Sequence, residues 1–199
     1  MKSILLLTIL TLAATAAHGQ DGFKPIVNPP VGQDLVSTLN ASGNYKTLII
    51  VIGKVGLDSL GLKKNSKEQI TLFAPNDAAF AKLPKTRFDA LMKDSQKMKN
   101  LLLVHAVKGK VSVADLLVSF GDGSVRTYKE LKSLQGRVLG FQRNEHTGEH
   151  HPRIKGSGKG MIGFGDIVFD RGVIHEIDEV QASDYLFQAG PGGGPIKPL

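Results

Sequence analysis

Glu145, His146, Glu149, His150 and His151 crowd into one short stretch, and all are of types that hold divalent metals. His146 and His150 stand four apart, which on a helix would bring both imidazoles to one face. Gly148, Pro152 and the glycines at 156, 158 and 160 oppose a helix there. A solvated loop also rarely supplies the outer partners that orient a ligating ring. Two readings follow. One is a polar surface loop. The other is a metal site on His146, His150 and His151, which would make the chain an extracellular metal-binding protein or a metal-dependent enzyme. Either way, three imidazoles in water gain charge as pH falls through about 6.5.

The remaining chemistry-bearing residues point to structure. His105 and His175 each sit in an apolar run, where a neutral ring bonded to a backbone carbonyl or a carboxylate is the expected state. Asp77 and Asp178 are expected to cap helices and fix turns. No Gly-x-Ser-x-Gly precedes a helical pattern, so no serine is set up as a nucleophile. Gly156-Ser157-Gly158-Lys159-Gly160 lacks the preceding strand and following helix of a phosphate-binding loop. The chain has no cysteine, which excludes a thiol nucleophile and a thiolate metal site. The reading is a non-enzyme without a cofactor.

The elements that must position these residues begin with the stretch Ile70 to Leu83. Ile70 to Phe73 favours a strand, Pro75 ends it, and Asn76 or Asp77 can cap the helix that follows. Phe80 and Leu83 share a face of that helix. Before it, Asp34 opens a short helix, and Asn44 can cap a second one through Tyr45, Leu48, Ile49, Ile52 and Val55. The apolar run Ile49 to Ile52 predicts burial all round. Helices are expected from about Thr86 to Lys93 and from Gln96 to Leu103. Val111 to Leu117 reads as a strand end and a capped turn. Val125 to Tyr128, Arg137 to Arg143 and Gly165 to Phe169 read as strands, and Val173 to Val180 as a returning strand with Val173, His175 and Ile177 on one face. Residues 144–160 read as a surface loop or hairpin insertion.

Length and composition set the frame. The 199 residues, 41% hydrophobic, suit one domain with tails and a core that needs no disulfide or metal. Met1 to Gly19 has the pattern of a secretory signal: Lys2, the apolar run Ile4 to Ala17, then small residues flanking His18. Residues 20–32 form a proline-bearing leader, 33–182 the folded domain, and 183–199 a glycine- and proline-rich tail. Removing the signal leaves 24 basic against 18 acidic side chains, a net charge of +6. The expected location is extracellular, with no transmembrane segment and no nucleic-acid partner. A basic exported protein favours acidic polysaccharides, and Arg153, Lys155 and Lys159 are the candidate polyanion-binding residues. The absence of Trp and a total of three Tyr argue against a neutral-sugar lectin built on aromatic stacking. Asn40-Ala41-Ser42 is an asparagine-glycosylation pattern.

Three blocks, taken in order, resemble the fasciclin domain of secreted and cell-surface adhesion proteins. They are Thr71-Leu-Phe-Ala-Pro-Asn-Asp-Ala-Ala-Phe80, Leu101-Leu-Leu-Val-His105-Ala-Val107 and Gly172-Val-Ile-His-Glu-Ile-Asp-Glu-Val180. The resemblance implies an α+β fold, a compact wedge of mixed β-sheet with several short flanking helices. It also implies adhesion, or contact with extracellular matrix, cell wall or a cell-surface protein. Val104 stands where the family usually has the Tyr of a receptor-binding Tyr-His pair, so an integrin-type role is not implied. Arg171 replaces the usual Asn before Gly172, and the proline-rich stalks of plant relatives are missing.

Overall fold

Asp34 caps α1 (Leu35–Ser42) by accepting the Ser37 amide at 2.9 Å. The structure, a computed structural model, describes residues 32–116, 130–142, 153–155 and 162–181. Helix α2 (Lys46–Val55) and a 3-10 turn over Leu57–Leu60 follow. Asn44 does not cap α2 as the sequence suggests. Its carbonyl accepts the Asp77 amide at 2.8 Å, and this holds Asp77 over the end of α2. The Asp77 carboxylate then takes the Lys46 and Thr47 amides at 3.1 and 2.8 Å. The cap is supplied from 30 residues away. Ile50 corrects a second expectation. Four consecutive apolar residues are wider than one buried stripe, so Val51 and Ile52 are buried while Ile50 stays 50% exposed.

The corner expected after Ile70 forms as strand β1 (Ile70–Pro75), then α3 (Asp77–Ala81) with Asn76 as its cap, the Asn76 side chain accepting the Ala79 amide at 2.8 Å. Helices α4 (Lys85–Met92) and α5 (Ser95–Val104) follow, with Asp94 capping α5 through the Gln96 and Lys97 amides. Strand β2 (Ala106–Lys108) leads to a short α6 (Val113–Leu116). Its first turn is closed by a reciprocal Ser112–Asp115 pair, and no strand forms over residues 111–112. The strand expected at 125–128 lies outside the described residues. Three further strands are β3 (Glu130–Lys132), β4 (Val138–Gln142) and β5 (Arg153–Lys155). Strand β5 falls inside the expected 144–160 insertion, so at least part of that segment is sheet. The chain closes with β6 (Ile167–Phe169) and β7 (Gly172–Ile177).

These strands make two sheets. The larger runs β2-β1-β7-β6, with β1 and β7 parallel and the outer pairs antiparallel; the smaller is an antiparallel β3-β4-β5. The fold is therefore α+β with a mixed sheet, as expected. Every residue of β1 and β7 is buried, the condition that parallel strands require when both faces are covered. One face meets the helices: Ile70, Leu72, Ala74 and Ile174 pack with Leu48, Val51, Leu91 and Leu101. The other meets the small sheet: Phe73 and Ile177 pack with Leu139, Phe141 and Ile162. Each of these Val, Leu, Ile and Phe side chains contributes about 1.5–3 kcal/mol when fully buried. The two sheets are tied where Val107 bridges Ser133 and the Leu134 amide donates to the Ala106 carbonyl at 2.7 Å.

Candidate functional site

The titratable groups of the interior gather at the C-terminal end of the parallel pair. The alternation of β7 puts Glu176 on the helix-facing side, where it is fully buried. The Tyr45 hydroxyl donates to Glu176 Oε2 at 2.6 Å, and the Asn76 amide nitrogen donates to Oε1 at 2.7 Å. Burial pushes the Glu176 carboxyl up, and these two bonds pull it part of the way back. Burial and the neighbouring carboxylate push the Tyr45 phenol up. One carboxylate thus joins α2, the β1–α3 corner and β7. It is a buried acceptor with both oxygens engaged, and the surrounding side chains leave a substrate no approach to it.

The two histidines are equally committed. His105 lies at the end of α5 rather than in a strand, as its apolar run suggests, and is fully buried. Its Nδ1 is 2.7 Å from the Leu101 carbonyl, and its Nε2 takes the Gln181 amide at 2.9 Å. A carbonyl can only accept and an amide N–H only donate, so the proton is on Nδ1. His175, in β7, is the mirror case. Its Nε2–H donates to the Val111 carbonyl at 2.8 Å, and its Nδ1 accepts the Asp166 amide at 3.1 Å. Its ring also packs against Phe73, centroids 5.4 Å apart. Burial lowers both imidazoles, His105 to about 4. The expected structural role holds for both, and neither ring has a nitrogen free for a proton transfer or a metal. Val104 beside His105 is buried as well, so this pair offers no outward contact.

The other sequence candidates are dispersed. Asn40 is exposed on α1. Asp178 forms an exposed ion pair with Lys82 at 3.1 Å. Arg153 and Lys155 take positions of equal parity on β5, opposite Gln142 and Gly140. Lys159, His146, His150 and His151 lie outside the described residues. Among the described residues, no three His, Asp or Glu side chains come together as a metal would need, and no helix is long and apolar enough to cross a membrane. What sequence reasoning misses is Tyr45 as the partner of Glu176. Their sequence separation of 131 leaves no local spacing to read.

A buried parallel pair, a capped corner and buried polar side chains of Tyr45, Asn76, His105, His175 and Glu176 bonded within the fold characterise this α+β body. The Fasciclin domain family matches residues 34–181, and the chain belongs to that family. It is 24% identical over 170 residues to transforming growth factor-beta-induced protein ig-h3 of Sus scrofa, covering 84% of this chain and 22% of that protein. It is 27% identical over 170 residues to protein sll1483 of Synechocystis, covering 84% of this chain and 78% of the relative. The fold is shared with a FAS1 domain pair from the insect cell adhesion molecule Fasciclin I, with TM-score 0.62, 16% identity, and 77% of this chain and 52% of that chain covered. The chain thus spans about a fifth of the animal relative and about half of the insect domain pair.

Proposed function

We propose that this is a secreted, non-enzymatic fasciclin-domain protein that contacts extracellular matrix or cell wall, with an acidic polysaccharide as its partner class. The observation that carries the reading is the family match over 34–181, the fold being that of an insect cell adhesion molecule. The leader-like Met1 to Gly19 supports export. The committed interior, in which Glu176, His105 and His175 each spend their polar atoms on the fold, supports a role carried by the surface. The excess of basic side chains, +7 over the full sequence, supports an acidic partner. Arg153 and Lys155 on β5, with Lys159 beyond it, are the proposed contribution of the small sheet.

Retention of the purified protein on immobilised polyuronate, sulfated glycan and neutral polymer tests this. Acidic polymers are expected to retain it at about 0.05 M salt and to release it at about 0.5 M, where charges are screened within several ångströms. Alanine at Arg153, Lys155 and Lys159 weakens that retention. Equal retention by neutral polymer, or no retention on any polymer, would contradict the proposal.

A further inference from the structure

The opposite end of the parallel pair, where β1 and β7 begin, carries a charge cluster built from two short basic runs, Lys63 to Lys67 and Lys108 to Lys110, that lie 41 or more residues apart in the sequence. Ile70 is in register with Lys108 on one side and with Gly172 on the other. This brings the loop before β1 beside the turn after β2 and beside Arg171. Lys63, Lys64, Lys67, Lys108 and Lys110 are all exposed there. Among the described residues, two exposed carboxylates share that end of the sheet: Glu68, 4.0 Å from Lys108, and Asp170. Among the described residues, Lys63, Lys64, Lys67 and Lys110 are held by no carboxylate.

The backbone beneath these lysines is fixed. The Arg171 guanidinium reaches across and donates to the Lys63 and Ser66 carbonyls, both at 2.8 Å. The Gly109 amide donates to the Gln69 carbonyl at 2.7 Å, and the buried Thr71 hydroxyl donates to the Gly109 carbonyl at 2.7 Å while accepting the Val111 amide at 2.8 Å. Gly109 takes φ +83°, which other residues adopt only with strain, and so makes the tight turn. Between loop and turn lies an open groove of about 410 Å³, lined by Ser66, Lys67, Glu68, Gln69 and Gly109.

We infer that this groove is a binding site for a linear anionic polysaccharide. The inference rests on the polymer-binding reading above and gives it a second, preorganised surface. Lysines of the loop and of the turn flank the groove and can pair with sulfates or carboxylates along a chain, while Ser66, Glu68 and Gln69 offer hydrogen bonds to its hydroxyls. Loops already pinned in place have less freedom to lose on binding. A lipid headgroup layer fits less well. Surface docking on a bilayer combines charge with an inserted apolar face, and among the described residues the exposed large hydrophobics Ile50, Val138, Phe164 and Val168 all lie outside the loop and the turn.

Lys67→Glu, Lys108→Glu and Lys110→Glu, introduced together, test the assignment, with the neutral Lys→Gln set as a second variant and thermal melts as the check on folding. Affinity for a sulfated or uronate polymer at about 0.1 M salt is expected to fall about tenfold or more. The same drop is expected in a background already carrying alanine at Arg153, Lys155 and Lys159, because separate patches contribute independently. The neutral set gives a smaller loss in the same direction. A change below about threefold in both backgrounds, with wild-type binding intact, overturns the site while leaving polymer binding standing. Failure of the wild-type protein to bind any polymer overturns both, as does binding to anionic phosphatidylserine vesicles in place of polymer.

Discussion

Alanine at Gly172 lowers the free energy of unfolding by about 3 kcal/mol, at the upper end of what overpacking costs. Gly172 opens β7 opposite Ile70, and the backbones approach so closely that a Cβ there would overlap the Ile70 carbonyl oxygen and press on a Phe169 ring carbon at 2.9 Å. Backbone cannot yield as a flexible side chain does, so the parallel ladder from Ile70–Gly172 to Pro75–Ile177 must part at its start. Gly53 is the internal control. It sits exposed in α2, where an added methyl group would meet nothing within 4 Å, and alanine there is expected to stabilise by about 0.5–1 kcal/mol. Urea unfolding of both variants measures the contrast. A Gly172→Ala protein within about 1 kcal/mol of wild type would contradict the close approach of β1 and β7.

The second large effect is on pH. His105 titrates at about 4 in the fold against an ordinary 6.5. As pH falls below about 6.5 the unfolded chain takes up the proton first, so stability declines down to about pH 4 and then levels off. Between pH 7 and 5 the His105 contribution amounts to a loss of about 2 kcal/mol. The cause is burial of the whole ring, against which the Leu101 carbonyl pulls only part of the way back; a proton on Nε2 would also face the Gln181 amide, itself a donor. His175, lowered by burial, acts in the same direction. Glu176 acts oppositely. Its carboxyl is raised by burial, so between the ordinary 4.5 and its folded value the native state takes the proton first and gains stability as pH falls. Urea titrations of wild type and His105→Gln at both pH values isolate the histidine. The variant is weaker at pH 7 but is expected to lose less on acidification; equal losses would contradict the assignment.

How much of the fold is readable in advance depends on sequence distance. Asn76 capping α3 and Asp34 capping α1 are legible because a cap spans only a few residues. The β1–α3 corner is legible for the same reason. Asp77 reads as a capping residue, but its true client, α2, lies 30 residues back and is brought to it by tertiary packing. The parallel pairing of β1 with β7 joins residues about a hundred apart, as the Asn76–Glu176 bond does. No periodicity records such a partner. His105 looks like a strand residue because the apolar run from Leu101 to Val107, interrupted only by His105 itself, spans the end of α5 and the start of β2, and periodicity alone does not divide a buried helix from a buried strand. Lys63 to Lys67 reads as a basic turn, but its meeting with Lys108 and Lys110 is illegible, because the two stretches come together only when β1 and β2 pair.

Interior polar groups hold this fold, and the binding proposed above lies on the basic rim. Amide chemical shifts of isotope-labelled protein, followed while an acidic polymer is added at low salt, test that division most directly. Movement is expected at 63–69 and 108–110, with Phe73, His105 and Glu176 unmoved. Movement of those interior amides without the rim, or of neither, would contradict it.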